Sequence, residues 1–143
     1  MSAPVNQSVD AIQPDLFGRI GRERAKPFLK WAGGKSRLLP ELRRYVPKRG
    51  YARYIEPFLG GGAFFFELAP ESAILGDANP ELIHCYQAVR DEPANVLGAL
   101  SEFRVTERDY YRIRRWEPEK LTRTVRAARL IHPAVVKPPA QQY

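Results

Sequence analysis

A single cysteine, Cys85, stands in the 143 residues. One thiol cannot form an internal disulfide, so a disulfide-stapled secreted framework is excluded and a reducing cytoplasm suits the chain. No apolar run approaches the ~20 residues of a membrane span, and the start lacks the basic-then-apolar order of a signal peptide. The expectation is a cytoplasmic protein with no membrane partner. Acidic residues are in deficit, 16 against 23 Lys and Arg, which leaves a net charge of +7. That excess favours an anionic partner, nucleic acid first, although a solvated basic surface gives the same count. The length allows one domain with a modest core.

A phosphate-cradling loop of the nucleotide hydrolases is also lacking. Gly33-Gly34-Lys35-Ser36 suggests one, but that loop needs a second glycine five positions before Gly34. Leu29 stands there, and leucine cannot freely take the positive φ that the turn requires. The segment serves another purpose.

Residues 1–25 mix Ser, Gln, Asn, Pro and Gly without an apolar period and read as a mobile leader. Within it, Gln13-Pro14-Asp15-Leu16-Phe17 is similar to the short peptide by which bacterial proteins dock into the replicative sliding clamp. Residues 36–46 space Leu38, Leu39, Leu42 and Val46 as one helical face, with Pro40 near its start. Residues 51–58 suit a strand and run into Leu59-Gly60-Gly61-Gly62-Ala63, after which Phe64 opens a helix. Residues 72–76 form a second strand ending at Asp77. Asn79 is a good N-cap and Pro80 a good first residue for the next helix, which Leu82, Ile83, Tyr86 and Val89 line on one face.

Beyond Asp91 the pattern is helical: 94–103, then 110–116 after the capping-box-like Thr106-Glu107-Arg108-Asp109, then 119–132. Leu121, Val125, Ala128 and Ile131 of the last helix point inward, and Arg123, Arg126 and Arg129 largely outward. Residues 132–143, with three prolines, read as an irregular tail. The organisation is therefore a leader (1–25), a partial cofactor-binding domain (26–131) and a tail (132–143).

Strand, glycine loop, helix, strand, acid and helix make a nucleotide-binding βαβ unit. The loop after the first strand lets a ligand approach, and an acid closing the second can accept hydrogen bonds from ribose hydroxyls. The loop here is GGG and not GxGxxG, which weighs against a dinucleotide oxidoreductase.

Phe28-Leu29-Lys30-Trp31-Ala32-Gly33-Gly34-Lys35, Ile55-Glu56-Pro57-Phe58-Leu59-Gly60-Gly61-Gly62-Ala63 and Leu75-Gly76-Asp77-Ala78-Asn79 together resemble the opening motifs of the Dam-type (D12 class) adenine-N6 DNA methyltransferases. The resemblance covers about residues 25–129. It implies an α/β, Rossmann-like S-adenosylmethionine-dependent fold, with helices on both faces of its sheet and a helical segment after the second strand. It also implies a pocket for S-adenosylmethionine built from Trp31, Lys35, Glu56, Pro57, Phe58, Gly60, Gly62 and Asp77. Trp31 would wall the methionine end, Lys35 would meet its carboxylate or a DNA phosphate, and double-stranded DNA is the implied partner.

The family's catalytic Asp-Pro-Pro-Tyr motif is not in this chain. Lys137-Pro138-Pro139-Ala140 is its nearest echo, but an ammonium cannot accept the hydrogen bonds of an adenine amino group and alanine cannot stack on the base. No catalytic residue and no metal ligand is assigned. The expectation is an incomplete methyltransferase fold, truncated before that motif, with weak cofactor binding, no methyl transfer of its own and an exposed sheet edge. The alternative is a non-catalytic remnant that binds DNA through the Arg123, Arg126, Arg129 face or the clamp through the leader. A role in restriction-modification is among those the family implies.

Overall fold

Two three-residue strands, Tyr54–Glu56 (β1) and Ala73–Leu75 (β2), pair in parallel with Tyr54 opposite Ala73 and Glu56 opposite Leu75. The computed structural model describes residues 25–31 and 33–135. The Gln13-Pro14-Asp15-Leu16-Phe17 peptide and Lys137-Pro138-Pro139-Ala140 lie outside the described residues. Both strands are shorter than the sequence predicts. Pro57 follows β1 directly and has no amide to extend the ladder, so pairing continues only through Gly76 N–H to Glu56 C=O at 2.8 Å and Leu59 N–H to Gly76 C=O at 2.9 Å. Those two bonds draw the ends of both strands together at the glycine loop.

Between the strands runs α2 (Ala63–Leu68), which starts one residue before the expected Phe64. Upstream, the predicted helix 36–46 is divided into a 3-10 turn, Lys35–Leu38, and a short helix, α1 (Leu39–Arg44). Pro40 has no N–H to offer the Ser36 carbonyl, so the chain takes the tighter turn first. The change of pitch leaves Leu38 56 % exposed instead of inward. At the far end the amides of Tyr45 and Val46 bond back three residues, and Pro47 stops the helix.

Helix α3 (Pro80–Asp91) begins as predicted: the Asn79 side chain accepts from Glu81 N–H at 3.0 Å, and Pro80 occupies the first turn. Helices α4 (Pro93–Ser101), α5 (Glu107–Arg114) and α6 (Arg123–Val135) follow. Thr106 caps α5 by accepting from Asp109 N–H at 3.1 Å. The stretch Pro118–Lys120 is a separate 3-10 turn, so Leu121 lies outside α6.

The core lies among α3, α4 and α6, with Leu82, Cys85, Ala88, Val96, Ala127 and Ile131 buried together and Leu29 inserted from the upstream segment. The innermost stripe of α3 is Leu82, Cys85 and Ala88, while Ile83, Tyr86 and Val89 flank it. Burial pushes the Cys85 thiol up to about 12, so it is a packing residue with no thiolate at neutral pH.

Three expectations are corrected. Arg126 makes a forked ion pair with Glu81 of α3, Arg123 donates to Asp91 at 2.5 Å and Glu92 at 3.3 Å, and Arg129 donates to the Ile113 and Arg114 carbonyls. Arg126 and Arg129, only partly exposed, hold α6 to α3 and α5; Arg123 is exposed as expected but paired with acids, so the three are not a free basic face. Residues 132–135 continue α6 where an irregular tail is predicted, because buried His132 meets the Arg104 carbonyl at 3.1 Å and the Phe103 ring. The sheet is not covered on both faces, since Ile55 and Ile74, paired across it, are 60 % and 52 % exposed.

Candidate functional site

The loop after β1 is shaped by two glycines with positive φ, Gly60 (55°) and Gly62 (70°). At Gly62 the need is double. It is the left-handed N-cap of α2, and a Cβ there would stand 2.8 Å from the Tyr86 hydroxyl and 3.1 Å from the Phe66 ring. The loop is also fastened. Asp77, directly after β2, accepts Gly60 N–H on one carboxylate oxygen at 2.8 Å and Asn79 N–H on the other at 2.9 Å. These backbone donors, that from Asn79 foremost, lower the Asp77 pKa. The carboxylate thus clamps the loop to the start of α3, and each oxygen keeps a lone pair for another donor.

From the other side, Trp31 and its neighbours close on the loop. A Cβ on Gly61 would lie 3.1 Å from the Leu29 carbonyl and 3.5 Å from Trp31 Cβ, so a side chain here would push the two segments apart. Lys35 anchors that approach: its ammonium donates to Glu56 Oε1 at 3.1 Å and to the Phe58 carbonyl. Glu56 is buried, and its second oxygen accepts the Tyr54 hydroxyl at 2.7 Å. Burial, then the Glu56 contact, raises the Tyr54 pKa, so the phenol stays protonated and donating.

Between these parts opens a concavity of about 660 Å³. Leu29, Trp31, Gly33, Gly34, Gly61 and Ala63 are among its walls, and Lys30, Ser36 and Arg37 bring polar groups to it. The volume lies within the roughly 300–1,000 Å³ of ligand sites. Trp31, one of its walls, is 36 % exposed.

The structure therefore divides the predicted site residues. Trp31 is a wall of the concavity. Gly60, Gly62 and Asp77 form and fasten the loop beside it. Lys35, expected to meet a carboxylate or a phosphate, gives two of its three donors to Glu56 and Phe58. Glu56 is buried beneath them, and Pro57 and Phe58 are exposed at the loop entrance. Sequence reasoning missed Tyr54 and Leu29 as supports. It placed Tyr86 on a helix face but not under the loop, where its hydroxyl donates to the Gly60 carbonyl at 3.4 Å. Among the described residues no group of three or more His, Cys, Asp or Glu is arranged to hold a metal, and no helix is long and apolar enough to cross a membrane.

A glycine loop and a strand-end acid are joined across a βαβ unit beside an open concavity, the arrangement of many α/β ligand sites. The chain belongs to the D12 class N6 adenine-specific DNA methyltransferase family, which it matches over residues 31–136. It is 40 % identical over 113 residues to a type II methyltransferase of Lactococcus lactis subsp. cremoris, covering 75 % of this chain and 39 % of that protein. A type II methyltransferase of Methanocaldococcus jannaschii is 39 % identical over 87 residues, 55 % of this chain and 30 % of its own. A DNA adenine methylase of Haemophilus influenzae is 46 % identical over 65 residues, 46 % of this chain and 22 % of its own. The chain thus spans between about a fifth and two fifths of these relatives' lengths.

Proposed function

We propose that residues 26–131 form the S-adenosylmethionine-binding part of a Rossmann-like, site-specific adenine-N6 DNA methyltransferase. The observation that carries the reading is the closure of the Trp31–Gly34 segment on the Gly60–Gly62 loop, with a ligand-sized concavity between them. Its donor set suits this cofactor. Ring surface from Trp31 favours a sulfonium cation, by about 1 kcal/mol where a cation lies over a ring face. Bare backbone at Gly33, where nothing stands within 4 Å of an added Cβ, admits close approach, and Lys30 and Arg37 supply positive charge for a carboxylate. When bound, the cofactor supplies an electrophilic methyl group for transfer to nitrogen.

The chain's residues do the holding. Asp77 keeps the loop open in shape through Gly60 and has lone pairs left for hydroxyl donors. Lys35, Glu56 and Tyr54 keep the loop entrance from drifting away from Trp31. Pro57 and Phe58, exposed beside the loop, are available to a ring lying against it. None of these groups performs the chemistry on adenine, for which the family uses an Asp-Pro-Pro-Tyr motif that these 143 residues do not contain. By themselves they are proposed to bind the cofactor and to transfer no methyl group.

The alternative of a remnant binding DNA through Arg123, Arg126 and Arg129 is less supported, because those side chains already pair with acids or carbonyls of the same chain. The oxidoreductase reading is tested directly by calorimetry with S-adenosylmethionine and with a nicotinamide dinucleotide. S-adenosylmethionine binds with a dissociation constant on the order of 0.1–1 mM, the weak range suited to an open site, and the dinucleotide gives no saturable heat. Preference for the dinucleotide refutes the proposal.

A further inference from the structure

The net positive charge is not spread over the chain. Residues 26–53 hold nine Lys and Arg against one acid, Glu41, a net of +8. Residues 54–135 hold ten Lys and Arg against twelve acids, a net of −2. The whole excess of +7 therefore belongs to the segment that leads through Trp31, the 3-10 turn and α1 to the start of β1.

Ion pairing sharpens the contrast. In that segment Lys35, Arg43 and Arg44 pair with Glu56, Glu67 and Glu41. Lys26, Lys30, Arg37, Lys48, Arg49 and Arg53 are exposed and make no ion pair among the described residues. Arg37 lies at the rim of the concavity, and Lys48 and Arg49 lie in the turn beyond α1 that Gly50 N–H closes onto the Pro47 carbonyl at 3.2 Å. Arg53 borders a neighbouring groove with the exposed ring of Tyr45.

We propose that Arg37 before α1 and Lys48, Arg49 and Arg53 after it form a phosphate-binding track that seats duplex DNA beside the concavity. The proposal rests on the DNA methyltransferase reading and adds to it the surface that meets the backbone. Unpaired, exposed cations neutralise phosphates without reading sequence, so binding through them is salt-dependent and sequence-independent. Arginines and lysines already committed to carboxylates contribute little to it.

Two triple variants of the full chain, each carrying the same net charge, test the track. One combines Lys48→Gln, Arg49→Gln and Arg53→Gln, which leaves the lining of the concavity untouched. The other combines Arg104→Gln, Arg108→Gln and Arg115→Gln, cations of the α5 region. Binding to a labelled duplex of about 20 base pairs is followed by anisotropy over a salt series, with S-adenosylmethionine calorimetry in parallel. The first triple weakens binding about tenfold or more at low salt and lowers the slope of log K against log salt by about 2–3, near 0.9 for each phosphate that is no longer neutralised. The second changes affinity less than about threefold. Equal losses in both triples, a larger loss in the second, or no DNA binding by the unmodified chain overturns the track. If the cofactor still binds in that case, only the track falls; if neither ligand binds, the functional reading falls too.

Discussion

At the scale of single residues, the site depends on what a few positions cannot hold. Gly62 combines a left-handed backbone with a tyrosine hydroxyl and a phenyl ring where a side chain would begin. Gly98, within α4, has nothing within 4 Å of an added Cβ. The same substitution therefore has opposite effects. Gly62→Ala destabilises by about 2–4 kcal/mol, from the left-handed penalty plus overpacking, whereas Gly98→Ala stabilises by about 0.5–1 kcal/mol through helix propensity. Urea unfolding of the two variants measures both; equal effects would remove the special role of the loop. The importance of the glycines is legible in the sequence, because three in a row after a strand-like run have few other uses. The partner that makes Gly62 irreplaceable is not, since Tyr86 comes from a helix 24 positions later. Lys35 teaches the converse: a lysine beside two glycines suggests an anion, yet a buried glutamate 21 residues on competes for it and wins.

At the scale of elements, α3 is the best-read part of the chain, because Asn79 and Pro80 mark its start by local chemistry alone. Helix α6 is read less well. Its apolar period is visible, but the fate of its arginines depends on acids in α3, and spacing within one helix carries no information about those. The Arg126 and Glu81 side chains are each about one-fifth exposed, and Arg126 donates through Nε to both carboxylate oxygens at 3.0 Å. That hydrogen bonding is the main cause of the lowered Glu81 pKa. A depressed carboxylate stabilises the fold above its unfolded pKa, near 4.3, and the contribution fades as pH falls through the folded value. Arg126→Met thus costs about 1 kcal/mol at pH 7 and nearly nothing in the acid range below the folded Glu81 pKa. Denaturation of both proteins at several pH values checks this, and a cost that stays constant into acid would assign the loss to packing instead of charge.

For the whole molecule, the order strand, glycine loop, helix, strand, acid, helix is legible because each member has its own local signature. The coverage of the sheet is not, since exposure of Ile55 and Ile74 depends on what lies against them and not on their own preference for strands. The +7 total and its concentration in residues 26–53 are equally plain in the sequence, but which of those cations are left unpaired emerges only once the ion pairs are placed. The central claim is that the Trp31–Gly34 segment and the Gly60–Gly62 loop are two walls of one cofactor pocket. The chain has two tryptophans, and Trp116 lies away from this site against Phe103. A Trp116→Phe variant therefore leaves Trp31 as the only indole reporter. Titration with S-adenosylmethionine should change its fluorescence saturably, with a midpoint matching the calorimetric one. Heat of binding with no change at Trp31, or no binding at all, would contradict the account.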